Sequence, residues 1–274
     1  MSILSRAIRK LKRLRRQYCS PFSHGWVIYH SRILNLQLLL NRDSYIDYLI
    51  WLEGSYSQDL LDTLKQIVQE HHVGLFFDIG ANIGEVSLYL KKAFPQLKVY
   101  AFEPVFDNYV QHAMEKILNG LEYELFHTAL GNTDGELVLH TPRANLSTDY
   151  QKFNAGMFSI LEDGSREAEK PLRVPCHRFD TFVQTHALRL DAPALFKLDV
   201  EGAELDVLRG MQATLAGAGV PLILIVELNL SRDNVYREVV AYLTGLEYKM
   251  YSLDGKPVFD TAALTNGDYI FMKS

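Results

Sequence analysis

The stretch from Leu75 to Leu90 limits this chain more than any other. An apolar run, Leu75-Phe76-Phe77-Asp78-Ile79, ends in the turn Gly80-Ala81-Asn82-Ile83-Gly84, and helical spacing starts at once with Val86, Leu88 and Leu90. Gly80 permits a sharp turn and close backbone approach, and Gly84 lets the helix pack tightly on the strand. Asn82 is the non-glycine residue that best tolerates a left-handed conformation. A strand feeding a helix in this way leaves free N–H groups at the helix start, where a polar or anionic ligand can be held.

From Val73 onward the same rhythm repeats, short apolar runs each followed by a polar turn and a helical stretch, which is the pattern of a parallel sheet with crossover helices. It predicts strands at 74–79, 97–102, 122–127, 194–199 and 221–227, with helices at 84–93, 106–119 and 203–217. The stretch from 132 to 183 is too long for a crossover and holds hairpin-like pieces. Carrying Asn154, Gly156, Ser159 and a run of charges, it is a candidate wall or lid over a substrate.

With 274 residues, 48% of them hydrophobic, the chain can bury one large α/β core plus an accessory segment. The expected division is an extension over 1–70 and a main domain over 71–274. Cys19 and Cys176 match no zinc or dithiol spacing, which suits a reducing compartment. The longest apolar runs, Ile33 to Leu40 and Val220 to Val226, are too short to cross a bilayer. The sequence therefore reads as cytoplasmic, with peripheral contact at the inner face of a membrane as an option.

That option comes from the charge pattern. Of 28 basic residues nine precede the first acid, Asp43, so the rest of the chain sets 19 against 33 acidic ones. Ile3, Leu4, Ala7, Ile8, Leu11 and Leu14 recur at helical spacing among arginines and lysines. Residues 2–16 thus read as a basic amphipathic helix, able to lie on an anionic membrane, dock on the main domain or serve in targeting. Nucleic acid is not an expected partner, because the acidic remainder repels phosphates. Residues 22–70 show no strong strand signal and are expected to form a helical layer; Tyr56, Leu60, Leu61, Leu64, Ile67 and Val68 mark its last helix.

Nineteen residues beyond Gly84, Glu103 closes the second strand, where an acid can accept hydrogen bonds from both hydroxyls of a ribose. Asp78 at the strand end opposes a pyrophosphate but suits the sulfonium and ammonium of S-adenosylmethionine. The dinucleotide fingerprint G-x-G-x-x-G is absent, and the only Tyr-x-x-x-Lys, Tyr269 with Lys273, falls in an expected terminal strand. Methyl transfer is favoured over hydride transfer by a nicotinamide enzyme.

Together these segments resemble the FkbM family of methyltransferases. The matching pieces are Phe77 to Gly84, Ala101-Phe102-Glu103-Pro104, Thr128-Ala129-Leu130-Gly131, Asn154 to Ser159, Val174-Pro175-Cys176 with Phe179-Asp180, and Phe196-Lys197-Leu198-Asp199-Val200-Glu201-Gly202-Ala203-Glu204. The resemblance spans roughly residues 73–230. It implies a class I Rossmann-like methyltransferase sheet of seven mostly parallel strands whose last pair, at Tyr248 to Leu253 and Tyr269 to Met272, is antiparallel. It also implies S-adenosylmethionine as cofactor, held by Phe77, Asp78, Gly80, Ala81, Asn82, Gly84, Glu103, Pro104, Ala129 and Leu130. Glu227-Leu228-Asn229 departs from the relatives' acid with a nearby histidine.

Methyl transfer to an alcohol needs the acceptor oxygen aligned with the methyl group and its proton removed. Asp199 is the first choice for that polar group, with Lys197 and Glu201 alternating beside it; the alternative is that Asp199, Glu201 and Glu204 complement the start of the next helix. Mg²⁺ held by Asp199, Glu227 and Asn229 is a second, less favoured route. His127 and His177 are further candidates. The implied activity is O-methylation of a glycan, glycolipid or secondary-metabolite hydroxyl, and the alternative class is a non-catalytic nucleoside-binding adaptor.

Overall fold

The computed structural model describes residues 25–41, 43–139, 171–230, 233–261 and 264–273. It begins with a hairpin of β1 (Trp26–Ser31) and β2 (Leu36–Asn41), then α1 (Tyr45–Glu53) and α2 (Gln58–Glu70). The purely helical layer expected over 22–70 is therefore corrected at its start. Leu36, Leu38 and Leu40 face inward and are fully buried, but leucines also flank them, so the period of two is hidden in the sequence. The expected helix at 2–16 lies outside the described residues, as do Asn154, Gly156 and Ser159.

The α/β core follows as β3 (Leu75–Ile79), α3 (Glu85–Ala93), β4 (Lys98–Phe102), α4 (Phe106–Leu118) and β5 (Glu124–Phe126). The segment expected to form hairpins supplies β7 (Gly135–Leu139) and β8 (Leu172–His177), which join β6 (Ala129–Leu130), just before it, in a separate sheet of order β6-β8-β7. Beyond it come α5 (Phe179–Thr185), β9 (Ala194–Leu198), α6 (Glu204–Gly210), α7 (Gln212–Gly217), β10 (Leu222–Leu228), α8 (Asp233–Gly245), β11 (Lys249–Ser252) and β12 (Gly267–Met272). The helix expected over 203–217 is broken at Met211. Gly210 passes so near the Gly131 carbonyl that a Cβ would sit 1.9 Å from its oxygen.

The central sheet has the order β11-β12-β10-β9-β3-β4-β5, parallel except for β12, which runs antiparallel to β10 and β11. This is the seven-stranded class I arrangement. All five residues of β3 and of β9 are buried, as strands covered on both faces must be. Alternation splits them between two cores. Leu75, Phe77 and Ile79 face one core with Phe196 and α5 to α8, whereas Phe76, Leu195 and Ile225 face another with α2, α3 and the N-terminal layer.

The N-terminal hairpin is attached to this core through α4. The outer edge of β2 pairs with helix side chains instead of another strand: Gln37 N–H and C=O bond to Asn119 at 2.9 and 2.7 Å. Leu39 N–H donates to Glu115 at 2.9 Å, and Leu39 C=O accepts from Gln111 at 2.9 Å. Gln111, Glu115 and Asn119 follow one another at four-residue spacing, which stacks them on one helix face and matches the ladder of a strand.

Candidate active site

At the carboxyl ends of β3, β4 and β9 the turn after β3 opens into a cavity of about 1350 Å³, counted out to its open mouth. Gly80, Asn82 and Gly84 all have φ between 51° and 88°, so the glycines and asparagine do what the sequence assigned them. A Cβ at Gly80 would lie 2.0 Å from the Asp199 carbonyl oxygen, and one at Gly84 would run into the His112 ring. Either substitution would force the turn away from its neighbours.

The end of β4 fastens this turn. Gly80 and Ala81 donate to the Phe102 carbonyl at 3.1 and 2.9 Å. Asn82 N–H donates to one Glu103 oxygen and Val105 N–H to the other, both at 2.8 Å. Glu103 is buried at the cavity wall, and that burial pushes its carboxyl up to about 7 against the pull of the two N–H groups. Asn82 Oδ1 is buried in the same wall with no hydrogen-bond partner among the described residues.

Of the expected cofactor contacts, Gly80, Ala81, Asn82, Glu103, Pro104, Ala129 and Leu130 line the cavity. Phe77, Asp78 and Gly84 do not, which corrects their expected place. Phe77 points to the opposite face, stacked between Phe196 at 4.6 Å and Tyr100 at 5.0 Å. Asp78 is wholly buried beneath the turn, taking a 2.6 Å hydrogen bond from Ser87 Oγ on α3. Burial holds its carboxyl above the ordinary aspartate range, with Lys197 and Ser87 opposing the shift. Gly84 supports the turn by admitting His112.

On the far side of the cavity lie Lys197, Asp199, Glu201, Glu227 and Asp268. Lys197 Nζ is 3.0 Å from Asp199 Oδ2 and 3.8 Å from Asp78 Oδ1. Burial opposes charge on Lys197, but the two carboxylates outweigh it and raise its pKa above the ordinary lysine value. Burial likewise opposes ionisation of Asp199, yet Lys197 and a hydrogen bond with Glu227 keep its pKa low. Repulsion from Asp199, then burial, pushes the Glu227 carboxyl well above the ordinary glutamate range, and the hydrogen bond between the two carboxyls lets the pair hold one proton. Burial and then Asp199 push Asp268 up to about 6.

Sheet pairing explains this grouping. Asp78 lies opposite Lys197 and Glu227 opposite Asp268, so the side chains share one face across β3, β9, β10 and β12. Asp268 carries no local sequence signal, because only the sheet order brings β12 against β10. Tyr56, Ser57 and Ile46 from the N-terminal layer also line the cavity. Glu85 at the start of α3 accepts the Tyr56 N–H at 2.8 Å and ties that layer to the turn. Tyr56 was legible only as part of a helix.

The other candidates lie elsewhere. His127 bonds the Pro104 carbonyl at 3.0 Å and packs on Tyr109, while His177 sits 3.7 Å from Asp134; neither lines the cavity. Glu204 accepts the Gly202 N–H at 3.0 Å at the start of α6, in keeping with a helix role. Asn229 is not part of the lining either; Glu201 takes its place in the group of Asp199, Glu201 and Glu227, whose oxygens lie within 4.8 Å of one another. An all-oxygen set suits a hard cation such as Mg²⁺.

A glycine turn and a terminal acid on adjacent parallel strands, opening on a shared cavity, form the arrangement in which α/β proteins hold nucleosides. The chain belongs to the FkbM methyltransferase family: residues 78–250 match the family model described as the methyltransferase FkbM domain. It is 29% identical over 144 residues to Methyltransferase 1 of Beauveria bassiana and 29% over 154 residues to Methyltransferase sdnD of Sordaria araneosa. Each alignment takes in 49% of this chain, and 57% and 59% of those two proteins, so the chain spans somewhat over half of the relatives it matches. Among solved structures, an FkbM methyltransferase from Methylobacillus flagellatus KT is 14% identical with a TM-score of 0.44, covering 73% of this chain and 43% of that one. Magnesium protoporphyrin IX methyltransferase from Synechocystis PCC 6803, with bound SAM, is 12% identical with a TM-score of 0.42, covering 100% and 99%.

Proposed function

We propose that the protein is an S-adenosylmethionine-dependent O-methyltransferase acting on a hydroxyl of a glycan, glycolipid or secondary metabolite. The observation that carries this reading is the placement of Glu103 and the Lys197–Asp199 pair in one cavity. The first supplies an anchor for a nucleoside and the second a proton acceptor.

The cavity suits the cofactor through Glu103 and Asn82. Pinned at both oxygens by backbone N–H groups, Glu103 is preorganised to accept hydroxyl hydrogen bonds, and the unpartnered Asn82 Oδ1 offers a further acceptor. Ala129 and Leu130 add apolar wall. When bound, the cofactor supplies an electrophilic methyl group on sulfonium sulfur. Asp199 takes the proton that the acceptor hydroxyl loses, and Lys197 holds Asp199 ionised and in place. Glu201, left-handed at φ 52° beside the cavity, helps fix the acceptor.

The test is transfer of a labelled methyl group to a panel of glycan, glycolipid and polyketide alcohols. Asp199→Asn should lower turnover by roughly 10²–10⁴-fold, while Glu103→Ala should lose cofactor binding. An Asp199→Asn variant as active as the parent sinks the proton-acceptor role, and binding of NADP in preference to S-adenosylhomocysteine sinks the class. The same assay in EDTA decides whether the oxygen group at Asp199, Glu201 and Glu227 works through Mg²⁺.

A further inference from the structure

The β1–β2 hairpin buries one face and leaves the other unused by the core. Val27 and Tyr29 turn inward with Leu38 and Leu40. Trp26 and Ile28, alternating with them, are 58% and 63% exposed, and Ile33 in the connecting turn is 50% exposed. Exposed His30 and Arg32 lie beside them. No acid occurs in the sequence before Asp43, and residues 1–24 include seven arginines and lysines interleaved with Ile3, Leu4, Ile8, Leu11 and Leu14.

An exposed tryptophan and two isoleucines ask for an apolar partner, and the Arg32 guanidinium beside them, with the excess of basic residues before Asp43, asks for an anionic one. A nucleic acid satisfies only the second demand and is repelled by the acidic remainder of the chain. A bilayer containing anionic phospholipid satisfies both. Tryptophan settles at the headgroup level, apolar side chains enter the acyl boundary, and basic residues are attracted to the surface.

We propose that Trp26, Ile28 and Ile33 insert into the surface of an anionic phospholipid bilayer, with the exposed Arg32 beside them at the lipid phosphates. The proposal goes beyond the methyl-transfer reading and does not depend on it. Its geometric consequence is that docking places the cavity's N-terminal wall beside the membrane. Ile33 packs over Gly54, where an added Cβ would lie 2.8 Å from the Ile33 Cδ1, and Ser31 Oγ donates to the Gly54 carbonyl. Tyr56 and Ser57 of the cavity wall follow within three residues.

The full chain should sediment with vesicles of 7:3 phosphatidylcholine and phosphatidylglycerol but not with pure phosphatidylcholine. Binding should weaken at least tenfold in a Trp26→Ser, Ile28→Ser double variant that keeps the parent melting temperature. The only other tryptophan, Trp51, is buried, so brominated lipid should quench a Trp51→Phe variant through Trp26. The proposal is overturned if the parent does not bind anionic vesicles, if it binds neutral ones equally, or if the double variant binds as tightly as the parent. It is also overturned if Trp26 escapes quenching, or if the double substitution converts a dimer to a monomer without vesicle binding, which would make a second copy the occupant.

Discussion

Asp78 and Lys197 face each other across adjacent parallel strands, and the 3.8 Å between their charged atoms links the floor of the glycine turn to the polar wall of the cavity. Lys197 is the shared cation, because it also lies 3.0 Å from Asp199. One buried ammonium therefore balances a structural carboxylate on one side and the proposed proton acceptor on the other.

Replacing Lys197 by methionine keeps the side-chain length but leaves a wholly buried Asp78 without its counter-charge. Breaking a buried pair by removing one partner costs about 3–5 kcal/mol, which in a chain of this size lowers the melting temperature by roughly 10 °C. An added Asp78→Asn should restore part of the loss in calorimetry. A Lys197→Met protein that melts like the parent would show that the pair contributes nothing to stability.

Glu103 gives a pH-dependent prediction for ligand binding. Its carboxyl is pushed up to about 7 by burial, so below that pH much of it is protonated in the free protein. Hydroxyl donors from a bound nucleoside favour the ionised form. Affinity for S-adenosylhomocysteine should therefore rise between pH 6 and 8, with proton release on binding near pH 6.5, as titration calorimetry in buffers of different ionisation enthalpy would detect. Glu103→Gln should bind more weakly and lose this rise; an unchanged slope would assign the pH dependence to another group.

Glu115 gives one for stability. Burial first, and then the nearby Asp47, raise its carboxyl well above the ordinary value of 4.5. An acid whose folded pKa is raised binds more protons folded than unfolded. Its ionisation cost is absent below about pH 4.5, and stability falls as pH rises from there towards the folded pKa. Glu115→Gln keeps an acceptor for the Leu39 N–H and should flatten that fall in urea unfolding followed from pH 5 to 8. Glu115→Leu leaves the N–H unmet and should cost about 1–3 kcal/mol. Equal pH slopes in parent and Gln variant would refute the assignment.

The local part of this architecture was legible because it depends on short-range spacing. The Gly80 to Gly84 turn, Glu103 closing β4 and the alternation of Lys197 with Asp199 each occupy a few consecutive residues, and their positions around the cavity follow once the strands pair. The hairpin at the start was not legible. Ile33 to Leu40 offers apolar residues to both a helix and a strand, and its edge is completed by Gln111, Glu115 and Asn119, more than 70 residues away. Nor did the sequence show that Asp78 is covered, since at a strand end one position separates a cavity-facing carboxylate from one buried against Ser87.

The sequence by itself determined the alternation of strands and helices from β3 to β5, the strands β9 and β10 and the family to which the chain belongs, because hydrophobic period and turn chemistry act over distances of a few residues. Tertiary structure alone decided which side chains meet. It brought Asp268 of β12 beside Glu227, Tyr56 of the N-terminal layer into the cavity wall and Phe77 away from it. Those meetings depend on which elements are neighbours and which face each strand residue takes in register, and a shift of one residue in a strand's pairing turns all of that strand's side chains to the opposite face.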